Sequence, residues 1–387
     1  MLTNSQIKAK EAIKKFLNDP IEEYICLSGK PGTGKSYFIK NIIPQLTNKW
    51  VCLTATTNKA ANVIGGETTF SHFGLRVTFK EGDYIIDTKN LKSIEDEVII
   101  IDEASMLDWE LFQIVTTNIT RCKIIFVGDM NQLPAVKGGI NVFEKFKVIE
   151  LTDVVRQKKD DLIELIESAR NHIKMAKVID SITPTENIKI LHSKQEVEDV
   201  ITSMSFDDKI LAYTNKTVIA YNRYYRELTN RPADIQEGDL VVSKSFCQSY
   251  NDDRSRLYAE EEGVVSYISD PYELYGYTGF QIRKVNIMGK NGDFLMPCNV
   301  DTYRTLLKQF AKDKAWKDYF FFKEKIADLR DNMACTVHAA QGSTYNNVLI
   351  DMRDIKTCRV MSTKTRLIYV ALSRAKEGIY IYDGSNK

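Results

Sequence analysis

Gly29-Lys30-Pro31-Gly32-Thr33-Gly34-Lys35-Ser36 is the stretch whose residue types and spacing speak most directly of chemistry. An apolar run, Tyr24-Ile25-Cys26-Leu27, precedes it, and Tyr37-Phe38-Ile39-Lys40-Asn41-Ile42-Ile43 follows. Strand, glycine-rich turn and helix start is the context in which this spacing marks a P-loop. The glycines let the backbone bend with its N–H groups turned inward, an anion nest at a helix N-terminus. Lys35 would bring a point charge to the β- and γ-phosphates, and the Ser36 hydroxyl would ligate Mg²⁺. The ligand implied is a nucleoside triphosphate.

A second chemical set lies further on. Val98-Ile99-Ile100-Ile101-Asp102-Glu103 is an unbroken apolar strand ending in two carboxylates. Such runs belong to parallel sheets buried on both faces, so the pair emerges at the C-terminal sheet edge, where open α/β sheets hold ligands. Asp102 is placed to hold Mg²⁺ through water, and Glu103 to polarise an attacking water. The strand Lys123-Ile124-Ile125-Phe126-Val127 ends in Gly128-Asp129-Met130-Asn131-Gln132-Leu133-Pro134. A lysine, a hydroxyl, two carboxylates and an amide at successive strand ends make a set for hydrolytic phosphoryl transfer. A small-molecule kinase would have no obvious use for Glu103 beside Asp102, nor for the Gly128–Gln132 loop.

The elements that must position these groups alternate strand and helix, which predicts a parallel, doubly wound domain over about residues 1–150. Residues 5–17 carry apolar positions at helical spacing, with Ser5 as the expected N-cap. Trp50 to Ala55 reads as a strand leading into Thr57-Asn58-Lys59-Ala60-Ala61 and a helix, and Val77 to Asp87 as a hairpin around Glu81-Gly82-Asp83. In the second half, Asp161 to Met175 is an amphipathic helix, and Lys209-Ile210-Leu211-Ala212-Tyr213-Thr214-Asn215 is a strand ending in polar residues. From Gly238 to about Tyr303 short apolar runs alternate with turn clusters, the texture of a small β-barrel. Thr305 to Asp331 reads as one charged helix carrying Trp316, Tyr319, Phe320, Phe321 and Phe322. Helical core packing is the ordinary reading of those rings, and a base-stacking surface the sharper one. The chain closes on Thr336-Val337-His338-Ala339-Ala340-Gln341-Gly342-Ser343, on Leu367 to Ala375, and on a last strand from Gly378 to Tyr382.

Bulk properties narrow the partners. The seven cysteines are scattered without a C-x-x-C pair and the four histidines do not cluster beside them. That argues against a zinc site and for a reducing compartment. With neither a signal-peptide core nor an apolar run of membrane-spanning length, a cytoplasmic protein is expected. A net charge of +1 means that any nucleic-acid binding must come from local basic patches.

Together and in this order, the motifs resemble the superfamily 1B DNA helicases, in particular their Dda-type (RecD-like) phage and bacterial branch, over about residues 2 to 382. Leu2-Thr3-Asn4-Ser5-Gln6 is similar to the Q motif, which puts Gln6 at the adenine edge. Gly29–Ser36 matches motif I, Thr54–Ala61 motif Ia, and Ile101–Ser105 motif II. Gly128–Pro134 is similar to motif III, with Gln132 sensing the γ-phosphate. Leu151-Thr152-Asp153-Val154-Val155-Arg156-Gln157 fits motif IV and makes Arg156 an arginine finger. Ala212-Tyr213-Thr214-Asn215 fits the motif after it. Thr336–Ser343 matches motif V, and Tyr369–Ala375 motif VI, with Arg374 as the second arginine. Trp316–Phe320 and Ala327–Arg330 look more like the Dda-type branch than other relatives. The chain departs from the pattern at Thr56, where proline is usual, and in Thr69-Phe70-Ser71-His72, whose histidine is displaced by one.

This resemblance implies an α/β fold of two RecA-like P-loop lobes, with a β-hairpin insertion in the first and an SH3-like β-barrel insertion in the second. The implied boundaries are 1–150 for lobe 1A (hairpin insertion 1B about 68–92), 151–237 and 328–387 for lobe 2A, and 238–327 for the barrel and helical insertion 2B. Lys35, Glu103, Gln132, Arg156 and Arg374 would be catalytic, with Ser36 and Asp102 holding the metal. Gln6, Gly29, Pro31, Gly32, Thr33, Gly34, Lys35, Ser36 and Gly342 would bind the nucleotide. Thr57, Asn58, His72, Phe79, Thr214, Asn215, Thr336 and His338 would contact DNA. The implied cofactors are ATP and Mg²⁺; the partners are single-stranded DNA and single-strand/duplex junctions, with a single-strand-binding protein or replisome components as further candidates. A monomer without membrane attachment, in a bacterial cell or phage-infected host, completes the expectation. The implied activity is 5′-to-3′ translocation and unwinding in replication, recombination or repair. The alternatives are a translocase or non-unwinding ATPase subunit of a larger recombination or nuclease complex, and a non-catalytic binding subunit. The intact ATP-site set argues against the last.

Overall fold

The computed structural model describes residues 2–80, 83–135, 139–153, 159–179 and 181–384; Arg156 and the side chain of Phe79 lie outside the described residues. Two compact units emerge. The first comprises Met1–Lys189, Ala340–Thr344 and Lys356–Ile379; the second comprises Ile190–Ala339, Tyr345–Ile355 and the chain from Tyr380 on.

The first unit is built on a six-stranded sheet in the order Val148–Leu151, Tyr24–Gly29, Lys123–Gly128, Glu97–Asp102, Trp50–Ala55, Glu67–Thr68. Every neighbouring pair is parallel. All six residues of Lys123–Gly128 are buried, as the central strand of a sheet covered on both faces requires. Alternate side chains feed two cores. Leu27, Ile100, Ile125 and Val127 pack with Ile13 and Phe16 of the helix Asn4–Asn18 and Phe38 of the helix Lys35–Asn41. Cys26, Ile99, Ile101 and Phe126 pack on the opposite face with Leu111 and Val115 of the helix Trp109–Thr117. Because all strands run the same way, Gly29, Asp102 and Gly128 reach the same edge of the sheet.

The cap of the first helix lies two residues before the expected one. Thr3 is the N-cap: its hydroxyl accepts the Gln6 N–H, and the Gln6 side chain accepts the Thr3 N–H. This reciprocal capping box outcompetes a lone Ser5 hydroxyl. Ser5 instead exchanges hydrogen bonds with Asp153. Further on, Arg76–Lys80 pairs antiparallel with Asp83–Asp87, Arg76 opposite Asp87.

In the second unit Lys209–Ala212 pairs in parallel with Ala334–Thr336 and with Tyr345–Asp351. Residues 190–191 and 380–382 belong to the same sheet. A separate antiparallel sheet runs Tyr272–Glu273, Gln281–Ile287, Glu262–Ile268, Leu240–Ser243, Leu329–Asp331, with Phe294–Pro297 on Gln281–Ile287. The single helix expected from Thr305 to Asp331 is two helices, Val300–Lys312 and Trp316–Lys325, and then a strand. The break falls at Lys314, whose φ of +57° a continuous helix cannot hold. Beyond Lys325, Leu329–Asp331 takes its hydrogen bonds from Leu240–Ser243 instead. The aromatic stripe divides accordingly. Phe322 is fully buried among Tyr277, Phe280, Tyr303 and Phe310, whereas Trp316 and Phe320 stay about half exposed, at 51% and 50%. No helix among the described residues is long and apolar enough to cross a membrane.

Candidate active site

The P-loop leaves its strand at Gly29, where glycine is required by space: a Cβ there would meet Thr33 Oγ1 at 2.6 Å and Leu151 Cβ at 3.1 Å. Gly34, with φ +81°, turns the chain into the helix Lys35–Asn41, a left-handed turn that costs glycine nothing. Lys35 Nζ donates to the Gly29 carbonyl at 2.5 Å and to the Lys30 carbonyl at 3.2 Å. Thr33 Oγ1 donates to the Lys30 carbonyl at 2.9 Å. Lys30 itself pairs with Glu167 of the helix Asp160–Lys174. Gln6 is buried, and its Nε2 donates to the Thr33 carbonyl at 3.0 Å. The residue expected at the adenine edge thus joins the first helix to the loop.

Asp102 ends its strand with a buried carboxylate that accepts the Glu103 N–H at 2.9 Å. Burial, reinforced by the Glu103 charge, lifts the Asp102 carboxyl to about 7, against the pull of that hydrogen bond and of Lys35. Glu103 sits at φ +52°, an uncommon conformation for a residue with a side chain. Burial raises its carboxyl as well, while Lys35 and Arg374 oppose the rise. Glu103 Oε2 is buried without a hydrogen-bond partner among the described residues. Gly342 lies against it: a Cβ on Gly342 would stand 3.7 Å from Glu103 Oε1.

Around the end of Lys123–Gly128 the first unit gathers residues from far along the chain. Gln132 is buried, and its Oε1 accepts from Gln341 Nε2 at 3.2 Å. Arg366 Nη1 donates to the carbonyls of Met130 and Gln132 at 2.8 and 2.7 Å. The Tyr369 hydroxyl donates to Asp129 Oδ2 at 2.5 Å. Arg374 is buried, its Nη1 on the Ser343 carbonyl at 3.0 Å and its Nε on the Val370 carbonyl at 3.0 Å. Lys35, Asp102, Glu103, Gln132, Gly342 and Arg374 are therefore all placed in one unit. Sequence reasoning gave no role to Asp129, Gln341, Arg366 or Tyr369. Arg366 and Tyr369 share a face of the helix Met361–Leu372 by their spacing of three, but a lone arginine on a helix ordinarily reads as solvated surface.

The donor set fits a phosphate-bound Mg²⁺. A serine hydroxyl and a carboxylate are hard oxygen ligands, and a buried carboxylate pair with an unpartnered oxygen calls for nearby positive charge. Ser36 and Asp102 would hold the ion, which supplies neutralisation of charge developing on the phosphates. Fold and site together define a P-loop nucleoside triphosphatase.

The threonines expected to touch DNA share one local arrangement. Thr57 caps the helix Asn58–Ile64 by accepting the Ala60 N–H, and Thr214 caps Asn215–Leu228 by accepting the Thr217 N–H. Thr336 Oγ1 accepts the Ala339 N–H at 3.1 Å. Asn58 and Asn215 are the first residues of those two helices. His338 is half-buried 6.2 Å from the Tyr213 ring, and burial lowers its pKa. His72 is buried, its ring facing Cys52, Glu67 and Glu97.

Comparison with known proteins agrees with this geometry. Residues 2–193 match the AAA domain family and residues 332–382 the UvrD-like helicase C-terminal domain. The chain is similar to the ATP-dependent DNA helicase dda of Enterobacteria phage T4, at 23% identity with 98% of this chain and 98% of that one covered. It is similar to the ATP-dependent DNA helicase Pif1 of Bdellovibrio bacteriovorus, at 30% identity over 92% of this chain and 82% of the relative. Its fold is similar to that of the Pif1 helicase from Bacteroides in complex with ADP-AlF3 and ssDNA, with a TM-score of 0.58, 18% identity, and 100% and 93% of the two chains covered. The chain belongs to the Pif1/Dda-type family of superfamily 1B helicases.

Proposed function

We infer that this chain is an ATP-dependent DNA helicase, hydrolysing ATP to move along single-stranded DNA and separate duplex. The observation that carries the inference is the assembly of Lys35, Asp102, Glu103, Gln132 and Arg374 in one α/β unit of a chain related nearly end to end to DNA helicases.

ATP phosphates arriving at the P-loop draw the Lys35 ammonium from the Gly29 and Lys30 carbonyls that hold it. Glu103, partly buried beside Asp102, accepts a proton from the attacking water, the work of a general base. Gln132 orients that water or reads the γ-phosphate, and Arg374 steadies charge on the transferring group. Arg156 is proposed as the arginine finger, with Arg374 as the second arginine; fingers of this kind are worth on the order of 10³–10⁵ in rate. Ser36 and Asp102 would hold Mg²⁺, which would neutralise charge developing on the phosphates.

For the nucleic acid, Thr57, Asn58, Thr214, Asn215, Thr336 and His338 are proposed to contact phosphates or sugars, which carry no sequence information. The antiparallel pair at 76–87, with Phe79, is proposed as the element that separates strands. The sheet around Leu240–Ser243 is proposed as an SH3-like insertion, within lobes bounded as the sequence suggests, at 1–150, 151–237 with 328–387, and 238–327. A single-strand-binding protein or replisome components are candidate partners, and the proposed direction is 5′ to 3′.

Strand displacement on tailed duplexes tests the reading. A DNA duplex with a 5′ single-stranded tail should be unwound in ATP and Mg²⁺, and one with only a 3′ tail should not. Unwinding confined to the 3′-tailed duplex would reverse the polarity. ATP hydrolysis without unwinding of either would identify a translocase instead.

A further inference from the structure

Away from the ATP site, one side-chain cluster brings a thiol, an imidazole and a carboxylate together. It joins Cys52 from the strand Trp50–Ala55, Glu67 from the edge strand Glu67–Thr68, and His72 at the end of the helix Thr69–His72. Cys52 Sγ lies 3.2 Å from His72 Nδ1, and Glu67 Oε1 lies 3.1 Å from the same nitrogen. The three donor atoms fall within 4.8 Å of one another. Cys52 and His72 are buried, at 8% and 9% exposure. On the far side of the ring, Nε2 stands 3.2 Å from Glu97 Oε2, and neither of these buried atoms has a hydrogen-bond partner among the described residues.

Nδ1 carries at most one proton. If the proton is present and lies on Glu67 Oε1, the Cys52 sulfur 3.2 Å from the same nitrogen has no share in it. If it is absent, the Glu67 carboxylate faces a nitrogen lone pair at 3.1 Å, even when the thiol donates to that nitrogen. One divalent cation among the three atoms would satisfy a thiolate, an imidazole nitrogen and a carboxylate together.

We propose that Cys52, Glu67 and His72 form a binding site for a zinc-type divalent transition metal, with Glu97 as the carboxylate behind the imidazole. Mixed sulfur, nitrogen and oxygen donors select such an ion over Mg²⁺ or Ca²⁺. With bonds of about 2.0–2.3 Å, neighbouring ligands of a tetrahedral zinc stand roughly 3.3–3.6 Å apart; the two separations seen here fall a few tenths of an ångström short. A carboxylate on the second imidazole nitrogen is the usual support of a metal-bound histidine. Glu67, with its side chain 47% exposed, opens the site to solvent and leaves a fourth position for water. Binding releases the Cys52 thiol proton to solvent. The ion would fasten the edge strand and the helix Thr69–His72 to the sheet, just ahead of the antiparallel pair that starts at Arg76. It would also give His72 a task other than the DNA contact expected of it. The ligands stand 15 and 5 residues apart in sequence, so no short metal-binding spacing announces them; the absence of C-x-x-C tests a different kind of site.

The test uses the full chain, stripped with a chelator and then given Co²⁺ or Zn²⁺ alone. One equivalent should survive desalting, and the Co²⁺ form should show thiolate-to-cobalt charge-transfer absorption. Cys52→Ser should abolish that absorption, and Cys298→Ser, at an exposed thiol, should keep it. Glu67→Gln, at a half-exposed side chain, should weaken binding about 10-fold or more and cancel the rise in melting temperature that Zn²⁺ gives the parent chain. Absence of the band in the parent chain, its persistence in Cys52→Ser, or undiminished affinity in Glu67→Gln would each overturn the assignment.

Discussion

Lys35 and Glu103 carry opposite burdens in the first unit. The lysine ammonium rests on backbone carbonyls of its own loop, so phosphate oxygens would replace ligands that are already polar. The glutamate is partly buried, with one carboxylate oxygen buried and unpartnered, an arrangement that costs stability. Glu103→Gln keeps the shape and removes the base, and should lower ATP turnover about 10²–10⁴-fold. Lys35→Ala should lower it at least as far, and both variants should still bind a labelled single-stranded oligonucleotide. Steady-state hydrolysis with and without oligonucleotide checks this; full turnover in either variant would displace the site. Asp102 adds a pH dependence. Its carboxyl is raised from 3.8 to about 7, so between those values the folded chain keeps a proton that the unfolded chain has lost. Stability from this group is therefore full below pH 3.8 and is lost as pH rises through about 7. Melting temperatures without nucleotide or Mg²⁺ should fall from pH 5 to pH 8, and Asp102→Asn should flatten that fall. Equal slopes in the two proteins would contradict the assignment.

At the scale of elements, much was legible because single-sheet burial leaves a plain mark. Val98–Ile101 and Ile124–Val127 are unbroken apolar runs, and both are buried central strands. The placement of Asp102 and of the Gly128–Gln132 loop at the ends of such strands was legible for the same reason. The helix cap was misplaced because apolar spacing sets a helix's face but not its first residue; the Thr3–Gln6 box does that. The helix expected over 305–331 failed where a left-handed Lys314 interrupts it, a conformation that a lysine does not advertise. Arg366 and Tyr369 were illegible as site residues, since their partners Gln132 and Asp129 lie more than two hundred positions away. The divided aromatic stripe makes its own prediction. Phe322→Ala should destabilise the second unit by about 3–5 kcal/mol, and Trp316→Ala, half-exposed, by about 0.5 kcal/mol or less. Urea unfolding followed by circular dichroism compares them; equal losses would mean that the two rings do the same work.

Taken whole, the molecule carries almost no excess charge, at +1 overall, so its grip on a phosphate backbone must be local. Each neutralised phosphate on a single strand contributes a slope of about −0.7 in log affinity against log salt. About four contacts would thus lose roughly 50-fold in affinity between 50 and 200 mM salt. Fluorescence anisotropy across that range should show the fall, and a flat response would rule out backbone contacts as the source of binding. A different consequence follows from the path of the chain. Ala340–Thr344 and Lys356–Ile379 return to the first unit after the chain has left it at Lys189. A gene cut at that point would encode the P-loop, Asp102, Glu103 and Gln132 but none of Gln341, Arg366, Tyr369 or Arg374. The two units are therefore not heritable modules: recombination at their apparent border would pass on a phosphate grip without the residues that brace it, and only the whole chain can be exchanged intact.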